Sequence, residues 1–411
     1  MSPERLFYII IAILVFDFIF GLWLDYLNYR HRKTSIPEEL QGIYDQQQYQ
    51  KQQEYKKVNT RFGFISGSFS FVVLMVFLLA GGFPWLDAII RNITENPILM
   101  ALLFFGILMF ASDLIGTPFS VYQTFVIEER FGFNKTSPGT FILDKLKGWL
   151  LGILISGGLL ALIIYIYLKV PELFWVYAWI VITAFTVFMT LFYSNLIVPL
   201  FNKQAPLEEG ELREKITGFI NKAGFKLKNI FVIDGSKRST KANAYFTGFG
   251  PKKRIVLYDT LINDLGNDEI VAVLAHETGH YKKKHVLTNL VVSIIQTGAT
   301  LYLLSLFINS PLLSAALGVE QHSFHIGLVA FGILYSPVSF VLGIFMNLYS
   351  RKAEYQADRF AAKYGYGKEL IEGLKKLTRK NLSNLTPHPL YVFFHFSHPT
   401  LLQRMRALLK S

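Results

Sequence analysis

The sequence predicts a mainly α-helical, polytopic membrane protein with one small α+β soluble block. Three observations lead there. First, only 17% of the 411 residues are charged, 52% are hydrophobic and 15% aromatic, with mean hydropathy +0.36. Soluble domains carry about 25% charged residues. Second, seven apolar stretches, near 6–24, 63–82, 97–116, 149–168, 174–199, 286–308 and 326–348, are long enough to cross about 30 Å of hydrocarbon at about 1.5 Å per residue. Third, the basic residues fall almost entirely in alternate loops.

The first stretch reads as an uncleaved span. Its apolar region is long, Arg5 is offset by Glu4, and no A-x-A-like cleavage site follows. Lysine and arginine number seven in the 1–2 loop, four in the 3–4 loop, fifteen in the 5–6 loop and twelve in the C-terminal tail. Only Arg5, Arg91 and Lys169 fall on the other side. Positive charge marks the cytoplasmic face, so the N-terminus is expected outside and the C-terminus in the cytoplasm. The net charge of +12 is then basic loops beside anionic lipid. Nothing points to nucleic acid; the bilayer is the partner that composition demands. With no cysteine, disulfides and thiolate ligands are excluded.

Residues 1–200 hold spans one to five, and 201–411 hold everything else. The polar tract 46–57 predicts an exposed helix or a helix extension into the cytoplasm. In the soluble block, 208–223 has helical periodicity, 228–233 reads as a strand, 235–241 as a basic turn, and 242–247 and Arg254–Tyr258 as further strands. Asp268 is placed to cap the next helix, which the pattern allows to run without a break into span six.

That helix carries His276-Glu277-Thr278-Gly279-His280, an H-E-x-x-H motif. Residues four apart share a helix face, so both imidazoles reach one ion, with Glu277 beside them as a base. Zinc suits two neutral histidines, a carboxylate and an open water position. Another histidine six residues after the second is one source of a third ligand, but that position is Val286. A glutamate from a later helix is the other source. His280 lies six residues before span six and Glu354 six residues after span seven. An antiparallel hairpin of equal spans returns the chain to its starting depth, so both stand about 9 Å beyond the membrane-facing helix ends. Glu354 is therefore the expected third ligand rather than half of an ordinary helical ion pair with Arg351. Asp358, one turn on, is placed either to hold a ligand histidine from behind or to donate a proton.

Further segments carry a likeness to a known family. They are Glu128-Glu129-Arg130-Phe131-Gly132-Phe133-Asn134-Lys135-Thr136, Pro199-Leu200-Phe201, Asp234-Gly235-Ser236-Lys237-Arg238-Ser239, Asn243-Ala244-Tyr245-Phe246, Ser397-His398-Pro399 and Leu401-Leu402-Gln403-Arg404. With the zinc motif, and in this order, the chain resembles the type I CAAX prenyl proteases, integral-membrane zinc endopeptidases. The resemblance implies seven spans around a water-filled chamber, a zincin-like metalloprotease domain at its cytoplasmic end, one Zn2+ per chain, and a peptide or protein substrate bearing a prenylated C-terminal CAAX sequence. Two departures stand out: Thr278 where leucine is usual, and Thr400 where a second proline is common. No lysine-rich retrieval signal closes the chain, and cysteine is absent; a bacterial inner membrane is expected, or the endoplasmic reticulum for a eukaryotic chain.

The expected roles follow. His276, His280 and Glu354 bind zinc, and Glu277 moves the proton from the attacking water to the leaving amine. By resemblance, Asn243 and Ala244 belong to an edge strand that pairs with an extended peptide. His398 is a candidate oxyanion donor and Arg404 a partner for Asp358 or for a substrate carboxylate; the plainer reading has Ser397 merely capping a helix. His31, His285, His322, His325, His388 and His395 read as packed or surface histidines, with His285 on another helix face from His280. Asp113, Asn195, Asn289 and Gln296, in or beside spans, fit a chamber wall or a tight bundle. Two substrate readings compete, CAAX processing and membrane-protein quality control of the kind performed by heat-shock membrane metalloproteases. A seven-helix transporter or scaffold is the non-enzymatic alternative.

Overall fold

The computed structural model describes residues 1–32, 36–224, 229–247 and 254–410; Lys228, expected to open a strand, lies outside them. Seven helices are long and apolar enough to cross a membrane. They are α1 (Pro3–Arg30), α2 (Gln46–Leu79), α4 (Pro97–Tyr122, continued by a π-helical turn to Glu128), α5 (Pro138–Lys169), α6 (Phe174–Leu196), α9 (His285–Phe307) and α10 (Phe324–Lys363). A short helix, α3 (Gly82–Ile93), joins α2 to α4.

The spans do not pack into a filled bundle. One buried apolar cluster, including Ile10, Phe83, Phe104, Phe174 and Ile308, sits at one end. A second, including Ile127, Ile255, Leu257, Ile270 and Leu274, sits at the other. Between them the middles of the spans carry no buried residue, as from Phe104 to Ile127 in α4 and from Phe331 to Ala353 in α10. The middles meet instead through part-exposed contacts, such as the stacked rings of Phe18 and Phe71 at 4.0 Å. The exposed apolar side chains of the spans, such as Phe16, Ile153 and Phe345, need a bilayer to cover them. Asp113 finds its partners across the wall: Lys145 Nζ at 2.7 Å and the Trp149 indole N–H at 3.0 Å.

The soluble block is a four-stranded sheet, β1 (Gln204–Pro206), β2 (Asn229–Ile233), β3 (Ala244–Thr247) and β4 (Arg254–Tyr258), in the order β1-β2-β4-β3. β2 and β4 are parallel; the outer strands are antiparallel to them. α7 (Glu211–Lys222), α8 (Asn267–Lys282) and α11 (Gly367–Lys380) pack around it, and α12 (Leu401–Leu408) closes the chain. Ala244 opens the edge strand β3, and Asn243 stands just before it.

Three local expectations are corrected and one is refined. Asp268 is inside α8, bonded to Lys215; the helix starts after Gly266, whose N–H donates to Glu269 Oε2 at 2.8 Å. A glutamate three residues on reaches back to that N–H, so Asp268 is not needed as a cap. α8 and α9 are not continuous: Lys283 and Lys284 separate them, and Lys284 is left-handed at φ 60. The tract 46–57 extends α2, the second of the two alternatives; most of it is exposed or half-buried, while Tyr49 packs against the soluble block. Ser397 caps nothing; Thr400 caps α12, its Oγ1 accepting from Gln403 N–H. The departure from a second proline therefore starts a helix.

Candidate metal centre

α8 and α10 approach closely because Gly279 has no side chain. A Cβ there would stand 2.9 Å from Ala357 Cα and 3.1 Å from its carbonyl oxygen. This contact sets the histidines of α8 against the carboxylates of α10. His276 Nε2 and His280 Nε2 lie 3.2 Å apart. Glu354 Oε2 is 3.5 Å from the first and Glu354 Oε1 3.2 Å from the second. A tetrahedral ion with ligands at about 2.0–2.1 Å spaces them about 3.3–3.4 Å apart. Glu354 is buried, and its Oε2 has no hydrogen-bond partner. A buried carboxylate oxygen left unpaired is costly, and a cation in this cage satisfies it. The donor set therefore fits a metal ion.

Behind His276 stands a charged pair. Asp358 Oδ1 is 2.8 Å from His276 Nδ1 and 2.6 Å from an Arg404 amino nitrogen; Arg404 Nε reaches Asp358 Oδ2 at 2.9 Å. Asp358 is almost wholly buried and does not line the pocket beside the ligands. The holding arrangement is thus the one formed, and a proton donor's path to the pocket is not. Arg404 pairs with Asp358, and its third nitrogen lies 3.6 Å from Glu354 Oε2. Burial opposes the Arg404 charge, yet its bonds to Asp358 hold its pKa above the usual arginine value.

The pocket itself has a volume of about 400 Å³. Glu277 lines it, beside the ligand atoms, with Asn243 and Ala244 at the start of the edge strand on one side and His398 on another. Asn243 is exposed just ahead of β3, and its Oδ1 accepts from Ala244 N–H at 2.9 Å. His398 Nε2 is 3.2 Å from Glu354 Oε1, and its Nδ1 faces Ser397 Oγ at 2.9 Å. The Glu354 carboxylate raises the His398 pKa above the ordinary histidine value, with burial opposing it. All nine residues singled out from the sequence are brought together, Asp358 from behind.

Two neighbours escaped the sequence reading. His285 Nδ1 is 3.1 Å from His280 Nδ1, and His285 Nε2 is 2.8 Å from Gln356 Oε1. A continuous helix puts positions five apart about 140° apart, which is why His285 read as facing elsewhere. The turn at Lys284 folds it back.

Seven membrane-capable helices, with an H-E-x-x-H helix and a glutamate from a second helix converging beside them, have the form of a membrane-embedded metallopeptidase. Residues 25–203 match a family described as CAAX prenyl protease N-terminal, five membrane helices, and residues 206–411 match peptidase family M48. A CAAX prenyl protease 1 homolog of Arabidopsis thaliana is 37% identical over 97% of this chain and 96% of its own. CAAX prenyl protease 1 of Saccharomyces cerevisiae is 35% identical over 95% and 92%, and a homolog of Homo sapiens is 33% identical over 97% and 94%. The crystal structure of S. mikatae Ste24p superposes with a TM-score of 0.93 at 34% identity, covering 98% of this chain and 99% of that one. The chain belongs to the CAAX prenyl protease 1 family, within peptidase family M48.

Proposed function

We propose that this protein is a zinc metalloendopeptidase that binds one Zn2+ through His276, His280 and Glu354 and cleaves prenylated proteins near a C-terminal CAAX sequence. The observation that carries the metal reading is the convergence of two Nε2 atoms and a glutamate whose Oε2 has no hydrogen-bond donor. Zinc in such a cage supplies a Lewis acid that acidifies water and polarises a carbonyl.

The chain's own residues do the rest. Glu277 accepts a proton from the attacking water and returns it to the leaving amine. β3 offers its open edge, from Asn243 and Ala244, to an extended peptide by strand addition, which asks little of the peptide's sequence. His398, an exposed donor beside Glu354, stabilises negative charge developing on the scissile carbonyl oxygen. Arg404 neutralises Asp358, so that Asp358 holds His276 without adding net charge to the cage. Residues 1–200 supply spans one to five, and 201–411 supply the catalytic part together with spans six and seven. The N-terminus faces outward and the site opens to the cytoplasm, following the charge bias of the loops; a bacterial inner membrane is the proposed location.

The test is cleavage of a farnesylated CAAX peptide and its unlipidated twin by the wild type and Glu277→Gln. We expect preference for the lipidated peptide and a loss of kcat of about 10²–10⁴-fold in the variant, with zinc retained. Equal cleavage of both peptides contradicts lipid-directed specificity and favours quality control. Full activity in Glu277→Gln contradicts the assigned base.

A further inference from the structure

The two ligand histidines are backed by different chemistry. His276 leans on a carboxylate–guanidinium pair. His280 leans on neutral groups: His285, then Gln356, which projects from α10. His285 is buried at 4% exposure, so its proton positions are set by these contacts rather than by water.

The hydrogen bonds order themselves in one direction. The Gln356 amide oxygen only accepts, so it receives the His285 Nε2–H across 2.8 Å. A neutral imidazole carries one N–H, which leaves His285 Nδ1 as an acceptor. The atom facing it at 3.1 Å is His280 Nδ1, which must donate. His280 Nε2 is then left with its lone pair, and that is the atom turned toward His276 Nε2 and Glu354 Oε1. We propose that His285 and Gln356 are positioning residues that select the metal-binding tautomer of His280. This rests on the zinc reading above.

The break between α8 and α9 acquires a purpose. Lys284 adopts φ 60, a region uncommon for a residue with a Cβ, and by doing so returns His285 to His280. The chain also keeps the cage charge low. Asp358 is offset by Arg404 and the His285–Gln356 arm is neutral, so neither arm behind the ligand histidines adds net charge to the cage.

The experiment measures zinc content and zinc affinity of the full-length detergent-solubilised protein by chelator competition, with thermal unfolding as a fold check. His285→Leu removes the acceptor and is expected to weaken zinc about 10–100-fold, the usual cost of losing a partner behind a metal-bound histidine. His285→Asn, whose amide oxygen takes the place of Nδ1 and again accepts from His280 Nδ1, is expected to recover most of that loss. In ¹⁵N-histidine spectra the wild type should show His280 protonated at Nδ1. Zinc affinity in His285→Leu equal to wild type, no recovery in His285→Asn, or a His280 proton at Nε2 overturns the proposal. Should His285→Leu not fold, Gln356→Met carries the same test, with a smaller loss in the same direction expected and wild-type affinity overturning it. A wild type that binds no stoichiometric zinc refutes the metal reading itself, not the relay alone.

Discussion

Among the described residues, two groupings of histidine, carboxylate and arginine sit at opposite ends of the spans, and one of them has the form of a metal site. At the end away from α8, His325 Nε2 lies 2.7 Å from Asp87 Oδ1, and Arg91 Nε lies 2.6 Å from Asp87 Oδ2. Arg91 also bonds Ser323, and the Phe104 ring packs over His325 at 4.7 Å between centroids. Every charged group there has its counterpart, so the cluster ties α3 to the start of α10. At the other end, Asp358 and Arg404 are equally matched, but Glu354 Oε2 is not. Residue types do not separate the two clusters. Convergent lone pairs around one unpaired oxygen do.

The comparison can be broken by removing a carboxylate from each. Glu354→Ala should lose stoichiometric zinc and reduce peptide cleavage by more than the ~100-fold typical of an outer-partner loss. Metal analysis and kcat on one preparation read both. Asp87→Ala should do the reverse. It leaves the buried His325 and the half-buried Arg91 without their anion, and breaking a buried pair costs about 3–5 kcal/mol, read as a lower thermal midpoint in detergent. Zinc content and activity per folded molecule should hold; a loss of zinc in Asp87→Ala would erase the distinction drawn between the clusters.

Smaller changes sharpen it. Gly279→Ala puts a methyl against Ala357 backbone, and overpacking of this kind costs about 1–3 kcal/mol. Because it pushes α8 from α10, zinc affinity should fall along with stability. The equivalent change at Gly298, which meets Trp179 inside the spans, should lower stability alone. Thr278 supplies the mildest case. Its Oγ1 is buried without a partner one residue from Glu277, yet no ligand atoms converge on it. Thr278→Val should therefore raise stability by about 1 kcal/mol or more and leave zinc affinity unchanged, as measured by unfolding and chelator competition.

Much of this was legible in the residues. Seven spans followed from hydropathy, and Glu354 followed from depth, because equal spans in a hairpin fix where the chain re-emerges. Asp358 followed from its place one turn further along the same face. The illegible parts are set by tertiary contact. Nothing in Lys282-Lys283-Lys284 announces a left-handed residue, since lysine has no intrinsic preference for it; His285 was consequently assigned to another face. The polar tract at Tyr49 looks solvated until the soluble block packs against that residue. The start of α8 was misplaced by two residues because Glu269 caps Gly266 through a backward bond, a pattern that competes with a plain Asp cap.

The central claim is one cation shared by His276, His280 and Glu354. Anomalous diffraction at the zinc absorption edge, from crystals of the protein purified without added metal, tests it most directly. A single peak within about 2.0–2.2 Å of His276 Nε2, His280 Nε2 and a Glu354 oxygen is the result predicted. A peak elsewhere, or Glu354 satisfied by a protein donor with no metal between the imidazoles, would contradict it.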